Sequence, residues 1–98
     1  MIITIFRSRV KPEAEKEYMQ WAERMNALAV KMPGYIAHKK FTAADGERVT
    51  IVEFESEETH HAWSQHPEHV EAKKKGRSTF YSEYRILVCT VQRESKYS

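Results

Sequence analysis

The sequence predicts an α+β domain with elements in the order β-α-β-β-α-β, the ferredoxin-like arrangement with an antiparallel sheet. Three observations carry that expectation. Four stretches rich in β-branched and aromatic residues, at 1–10, 35–42, 47–55 and 84–93, read as strands. Between the first two, apolar residues recur at three- and four-residue spacing, the signature of a helix with one apolar stripe. Between the last two lies a second helical region interrupted by Pro67.

The opening strand runs from Met1 to Val10. Lys11-Pro12-Glu13 starts the first helix, since proline suits the first helical position and acidic residues suit the first turn. Tyr18, Trp21, Ala22, Met25, Leu28, Ala29 and Met32 build its stripe over about residues 13–31, and Pro33-Gly34 ends it. Tyr35 to Thr42 and Glu47 to Glu55 form a hairpin about the turn Ala44-Asp45-Gly46. Ser56 is a good N-cap for the second helix, with Glu57 and Glu58 in its first turn. Pro67 breaks that helix near His66 and starts a segment reaching Lys75, with Gly76 just past its end. The last strand spans Tyr84 to Arg93, and Glu94 to Ser98 is a polar tail. Two crossovers around a hairpin place both helical regions on one face of the sheet.

At 98 residues the chain fits a single domain, 1–98. Its 41% hydrophobic content is too high for disorder, and a net charge of +2 with mixed signs lacks the basic footprint of a nucleic-acid binder. Cys89 is the only cysteine, so no intrachain disulfide forms. No segment has the length of a membrane span, no targeting signal stands out at the start, and the expected location is the cytoplasm.

Alternation along the strands implies a partner. Ile3 and Ile5 share one face of the first strand, and Ile2, Phe6 and Val10 the other. Val49 and Ile51 oppose Val52 and Phe54; Leu87, Cys89 and Val91 oppose Tyr84, Ile86 and Val88. Both faces are apolar, while helices cover one. A second copy packed sheet to sheet would cover the other; burying ~600 Å² at ~25 cal/mol per Å² is worth ~15 kcal/mol before association costs. The alternative is cover by the tail or a loop.

The chain has no Walker A loop, nucleophile elbow, H-E-x-x-H or dinucleotide fingerprint, so no flavin or nicotinamide site is expected. His60, His61, His66 and His69 cluster, but their spacing does not make a metal set, and solvated surface histidines are the plainer reading. His66, three residues after Trp63 on one helical face, is the candidate proton shuttle. Trp63 is either core or the wall of a pocket that stacks on a flat aromatic ligand. Tyr18 and Trp21 read first as core, with Tyr18 also a candidate ligand contact alongside His69, Phe80, Tyr81 and Arg85. Lys73, Lys74, Lys75 and Arg77 either complement a helix C-terminus or attract an acidic substrate. Cys89 reads as a buried small hydrophobe.

The segment Trp63-x-x-His66-Pro67-Glu68-His69, with Gly76-Arg77, Phe80-Tyr81, Glu83-Tyr84 and the closing strand, resembles antibiotic biosynthesis monooxygenase domains. The opening strand, the helix at Pro12, the Pro33-Gly34 turn and Phe54-Glu55-Ser56 fit as well. The resemblance implies a homodimeric α/β-barrel that oxidises a small aromatic or quinol-like molecule with O₂ and no cofactor. Trp63 and His66 would serve catalysis. Where characterised members often carry an asparagine near this tryptophan, Thr59 or His60 stands here. A haem-degrading branch has a ligating histidine where this chain has Lys73, and an asparagine near Phe6-Arg7 that is also missing, so the likeness points away from haem degradation. A dimeric binding protein that holds an aromatic ligand without chemistry is the other reading.

Overall fold

A computed structural model describes residues 1–97. The elements follow the expected order: β1 (Ile2–Val10), α1 (Glu15–Ala29), β2 (Tyr35–Thr42), β3 (Arg48–Phe54), α2 (Glu57–Ser64), α3 (Pro67–Lys75) and β4 (Tyr81–Thr90). The four strands form one antiparallel sheet in the order β2-β3-β1-β4, and the helices lie across one face. Each crossover therefore skips one strand. Of the expected tail 94–98, Ser98 lies outside the described residues. Among those described, no helix is long and apolar enough to cross a membrane.

Local chemistry sets the boundaries. Pro12 opens a short 3-10 turn (Pro12–Ala14) that leads into α1. Gly34 adopts φ +82°, and a β-carbon there would lie 2.5 Å from the Thr59 side chain, so only glycine allows α2 to start against this turn. Ser56 and Thr59 form a reciprocal capping box, Ser56 Oγ accepting from the Thr59 N–H at 3.2 Å and Thr59 Oγ1 from the Ser56 N–H at 3.2 Å. His66 is extended before Pro67, and its Nδ1 accepts the Glu68 N–H at 3.2 Å to cap α3.

Two boundaries differ from expectation. Gly76 is not a left-handed helix stop: its φ is −57°, and the chain continues through a wide π-helical turn, Gly76–Phe80. Glycine is needed there because a β-carbon would lie 2.6 Å from Tyr81 Cε2. This turn delivers Phe80 to the core, and β4 begins at Tyr81, three residues before the expected Tyr84. It also ends at Thr90 rather than Arg93, because β1 supplies no ladder partner beyond Ile2.

Register confirms the two apolar faces. Ile2, Thr4, Phe6 and Ser8 of β1 align with Phe54, Val52, Thr50 and Arg48 of β3 on the helix side. On the opposite side Ile51, Ile5 and Leu87 form one apolar row across three strands; its flanking rows mix Ile3, Cys89 and Val49 with Glu53, Arg7 and Arg85. Cys89 is only partly buried on that face.

The core is divided. One cluster joins Ala14, Tyr18 and Phe80, with Val10, Trp21, Ala22 and Tyr81 packed around them. The other joins Ala29, Phe54 and Trp63, with Met25, Leu28 and Val52. Successive turns of α1 feed the two clusters, and the sheet between them carries Thr4, Thr50, His38 and Lys40 rather than large apolar side chains. That interval is where the structure is hollow.

Candidate functional site

A cavity of about 340 Å³ lies between the helices and the sheet, of the size that holds a small ligand. One end is a nest of aromatic rings. Phe6 meets Tyr81 edge-on at 5.3 Å and Tyr84 at 5.9 Å, and Tyr18 meets Phe80 and Tyr81 at 5.9 Å each. Burial raises the phenol pKa of both Tyr18 and Tyr81, so both stay protonated. The flank along β4 is the open side: Tyr84, Ile86 and Val88 line the cavity yet are 41%, 47% and 58% exposed.

The other end holds the titratable chemistry. Trp63, 6% exposed, is both core and cavity wall, so the two readings of it from sequence merge. His69 stacks on its indole at 4.3 Å with the planes 16° apart. The His69 Nδ1 lies 3.1 Å from the Trp63 carbonyl, which can only accept, so Nδ1 carries the proton and Nε2 the lone pair. Burial lowers the His69 pKa to about 4, outweighing that hydrogen bond, and keeps the imidazole neutral at neutral pH. His60 enters from α2 with its Nε2 2.8 Å from Thr4 Oγ1 on β1. Burial lowers its pKa too, and the nearby Lys73 ammonium adds to the effect. Lys73 reaches across from α3 and donates to the Ser64 carbonyl at 2.8 Å. On β2, His38 Nδ1 and the Tyr35 hydroxyl are 2.6 Å apart.

The structure brings together five of the seven residues expected from sequence: Trp63, His69, Tyr18, Phe80 and Tyr81 all line the cavity. It does not bring in the other two. His66, the expected proton shuttle, spends its ring nitrogen on capping α3 and lies outside the lining, although its ring is 5.7 Å from Trp63. Arg85 pairs in register with Arg7, on the face turned away from the helices, which it shares with Glu83, Leu87 and Cys89; the register shift at Arg9–Val10 separates Tyr81 from that set.

Sequence reasoning missed His60, Asn26, Lys40 and the inward reach of Lys73. His60 precedes Trp63 by three residues, so the helical spacing used for His66 would have selected it equally. Lys40 and His38 alternate on the helix-side face of β2, a polar break in a row that should be apolar. Among the described residues no three histidine, cysteine or carboxylate side chains converge as a metal site.

An antiparallel sheet half-roofed by helices, with an aromatic-lined cavity between the layers, defines an α+β domain of ferredoxin-like topology. A sequence model of the antibiotic biosynthesis monooxygenase family matches residues 1–75, and the chain belongs to that family. The uncharacterized protein YqjZ of Bacillus subtilis strain 168 is 38% identical over 87 residues, covering 89% of this chain and 76% of its own length. Among solved structures, Rv0793 of Mycobacterium tuberculosis superposes with a TM-score of 0.84 at 16% identity, covering 97% of this chain and 98% of that one. SnoaB, a cofactor-independent oxygenase from Streptomyces nogalater, superposes with a TM-score of 0.77 at 16% identity, covering 95% and 94%. At such identities these two structures bear on the fold alone.

Proposed function

We propose that the protein is a homodimeric, cofactor-independent monooxygenase that oxidises a small aromatic or quinol-like compound with O₂. The observation that carries this reading is an aromatic-walled cavity holding two imidazoles, His60 and His69, whose pKa values burial lowers. Family membership and the SnoaB likeness in fold support it.

In this reading the ring of the substrate lies against Trp63 and the aromatic nest of Phe6, Tyr18, Phe80 and Tyr81. His60 takes the proton-transfer role that the sequence suggested for His66. The Thr4 hydroxyl both accepts and donates, so it can pass a substrate proton to His60 Nε2. His69, oriented by the Trp63 carbonyl, offers Nε2 as a hydrogen-bond acceptor that holds a substrate hydroxyl. The deprotonated substrate gives its electrons to O₂ and forms a carbon–oxygen bond. One oxygen atom stays in the product; the other leaves as water with two hydrogens of the substrate. The protein contributes orientation, proton transfer and exclusion of bulk water.

Dimerisation through the helix-free face is part of the proposal. The Ile51–Ile5–Leu87 row with Ile3, Val49 and Cys89 makes an apolar band, bordered by Glu53, Arg7 and Arg85, that a second copy would cover.

Oxygen uptake measured with a panel of phenols, anthrones and quinols tests the chemistry. Turnover that falls at least tenfold in both His60→Ala and Trp63→Phe, with folding intact, supports the assignment. Full turnover in both variants would discard the site. Ligand binding with no oxygen uptake across the panel would favour a binding protein without chemistry.

A further inference from the structure

The charge around the cavity is one-sided. Its lining includes Lys40, Lys73 and Arg77 and not one aspartate or glutamate. Outside the cavity, five cations have carboxylate partners. Among the described residues Arg7 pairs with Glu47, Arg9 with Asp45 and Glu83, Arg24 with Glu68, Arg48 with Glu15, and Lys75 with Glu17. Among the described residues none of the three cavity cations has a side-chain carboxylate within ion-pair distance.

Lys73 is the best placed of them. One of its three N–H donors goes to the Ser64 carbonyl, which holds the ammonium at the cavity wall beside His60 and His69. Both imidazoles are neutral and neither offsets its charge. Glu57 is the one carboxylate felt at His60, and it does not line the cavity. Lys73 is half-buried, and that burial and then the Arg77 guanidinium lower its pKa; Lys40 is more exposed, and partial desolvation and then Arg48 lower its pKa in the same direction. An anion entering the cavity would supply that missing partner.

We propose that the natural ligand is an aromatic acid, a flat ring bearing a carboxylate or an ionised phenol, and that Lys73 holds its anionic oxygen while Lys40 and Arg77 complete a positive rim. This rests on the reading of the cavity as the substrate site. It goes further by setting the charge of the substrate and by making Lys73 a specificity-determining residue.

The test is anaerobic titration of tryptophan fluorescence, since Trp21 and Trp63 both line the cavity. The probes are 1,4-dihydroxy-2-naphthoate and its uncharged counterpart naphthalene-1,4-diol. The naphthoate should bind at least tenfold more tightly, about 1.4 kcal/mol. Lys73→Met should erase that preference, Lys73→Arg should keep most of it, and Lys74→Met, changing an exposed lysine outside the cavity, should leave it intact. A third titration, with 1-naphthol through its own ionisation, separates the two acids: tightening as it ionises assigns phenolate, and no change assigns carboxylate. Equal or tighter binding of the diol, an unaltered preference in Lys73→Met, or no binding of either naphthalene probe would overturn the inference. Anion preference without oxygen uptake would remove the oxygenase reading and leave this one standing. Uptake with the uncharged diol and no anion preference would do the reverse.

Discussion

Mild acid should destabilise the fold through His69, before most carboxylates titrate. An exposed histidine titrates near 6.5, whereas burial holds His69 at about 4 in the folded protein. Between those values the unfolded chain binds a proton that the folded chain refuses. Stability is therefore complete above about pH 6.5 and falls as pH drops toward 4. At about 1.36 kcal/mol per unit, the whole effect is about 3 kcal/mol, of which about 1.4 kcal/mol is lost by pH 5.5. His60, lowered by burial as well, acts in the same direction. The assay is urea unfolding at pH 7.5 and 5.5 for the wild type and His69→Phe. Phenylalanine keeps a ring on Trp63 but cannot titrate, so the wild type should lose about 1 kcal/mol more than the variant. Equal losses would refute the claim that His69 is buried as a neutral imidazole. The same account expects the His69 ring, followed by NMR, to remain in the Nδ1–H form at pH 7.

Other consequences are independent of that group. Gly76→Ala should cost about 1–3 kcal/mol in unfolding experiments, because its new methyl meets the Tyr81 ring. Ser56→Ala should cost about 0.5–2 kcal/mol by removing half of the capping box at the start of α2. Ile5→Glu, at the centre of the helix-free apolar row, should turn a dimer into a monomer of 11.6 kDa by sedimentation, with the cavity still formed. A wild type that sediments only at that mass would remove the dimer from the account.

The fold was legible because its signals are local and repeated. Strand alternation placed Ile3 and Ile5 against Ile2 and Phe6, and Pro12, Ser56 and Pro67 marked helix starts that the structure uses. Gly76 misled because a glycine after three lysines looks like a helix stop. Its actual constraint is a ring five residues later in sequence, and no local rule sees that contact. The site was legible in part for a similar reason. Trp63 and His69 sit in a compositionally distinctive segment. His60 and His66 are both three residues from Trp63, on opposite sides in sequence, and periodicity cannot say which turns inward. Proline decided it: Pro67 restarts the helix, so His66 becomes a cap while His60 stays on the inner face of α2. The two readings of Lys73, complement to a helix end or attractor of an acidic substrate, stay open in the sequence because long side chains reach in any direction until the neighbouring elements are known.

The most direct test of the central claim, that this cavity inserts oxygen using its own residues and the electrons of the substrate, is the fate of labelled dioxygen. Anthrone incubated under ¹⁸O₂ with the purified protein, a chelator and no added cofactor should yield anthraquinone carrying one labelled atom, with the second in water and the rate lowered at least tenfold in His60→Ala. Product formed no faster than in buffer, or accompanied by an equivalent of hydrogen peroxide and no label, would contradict it.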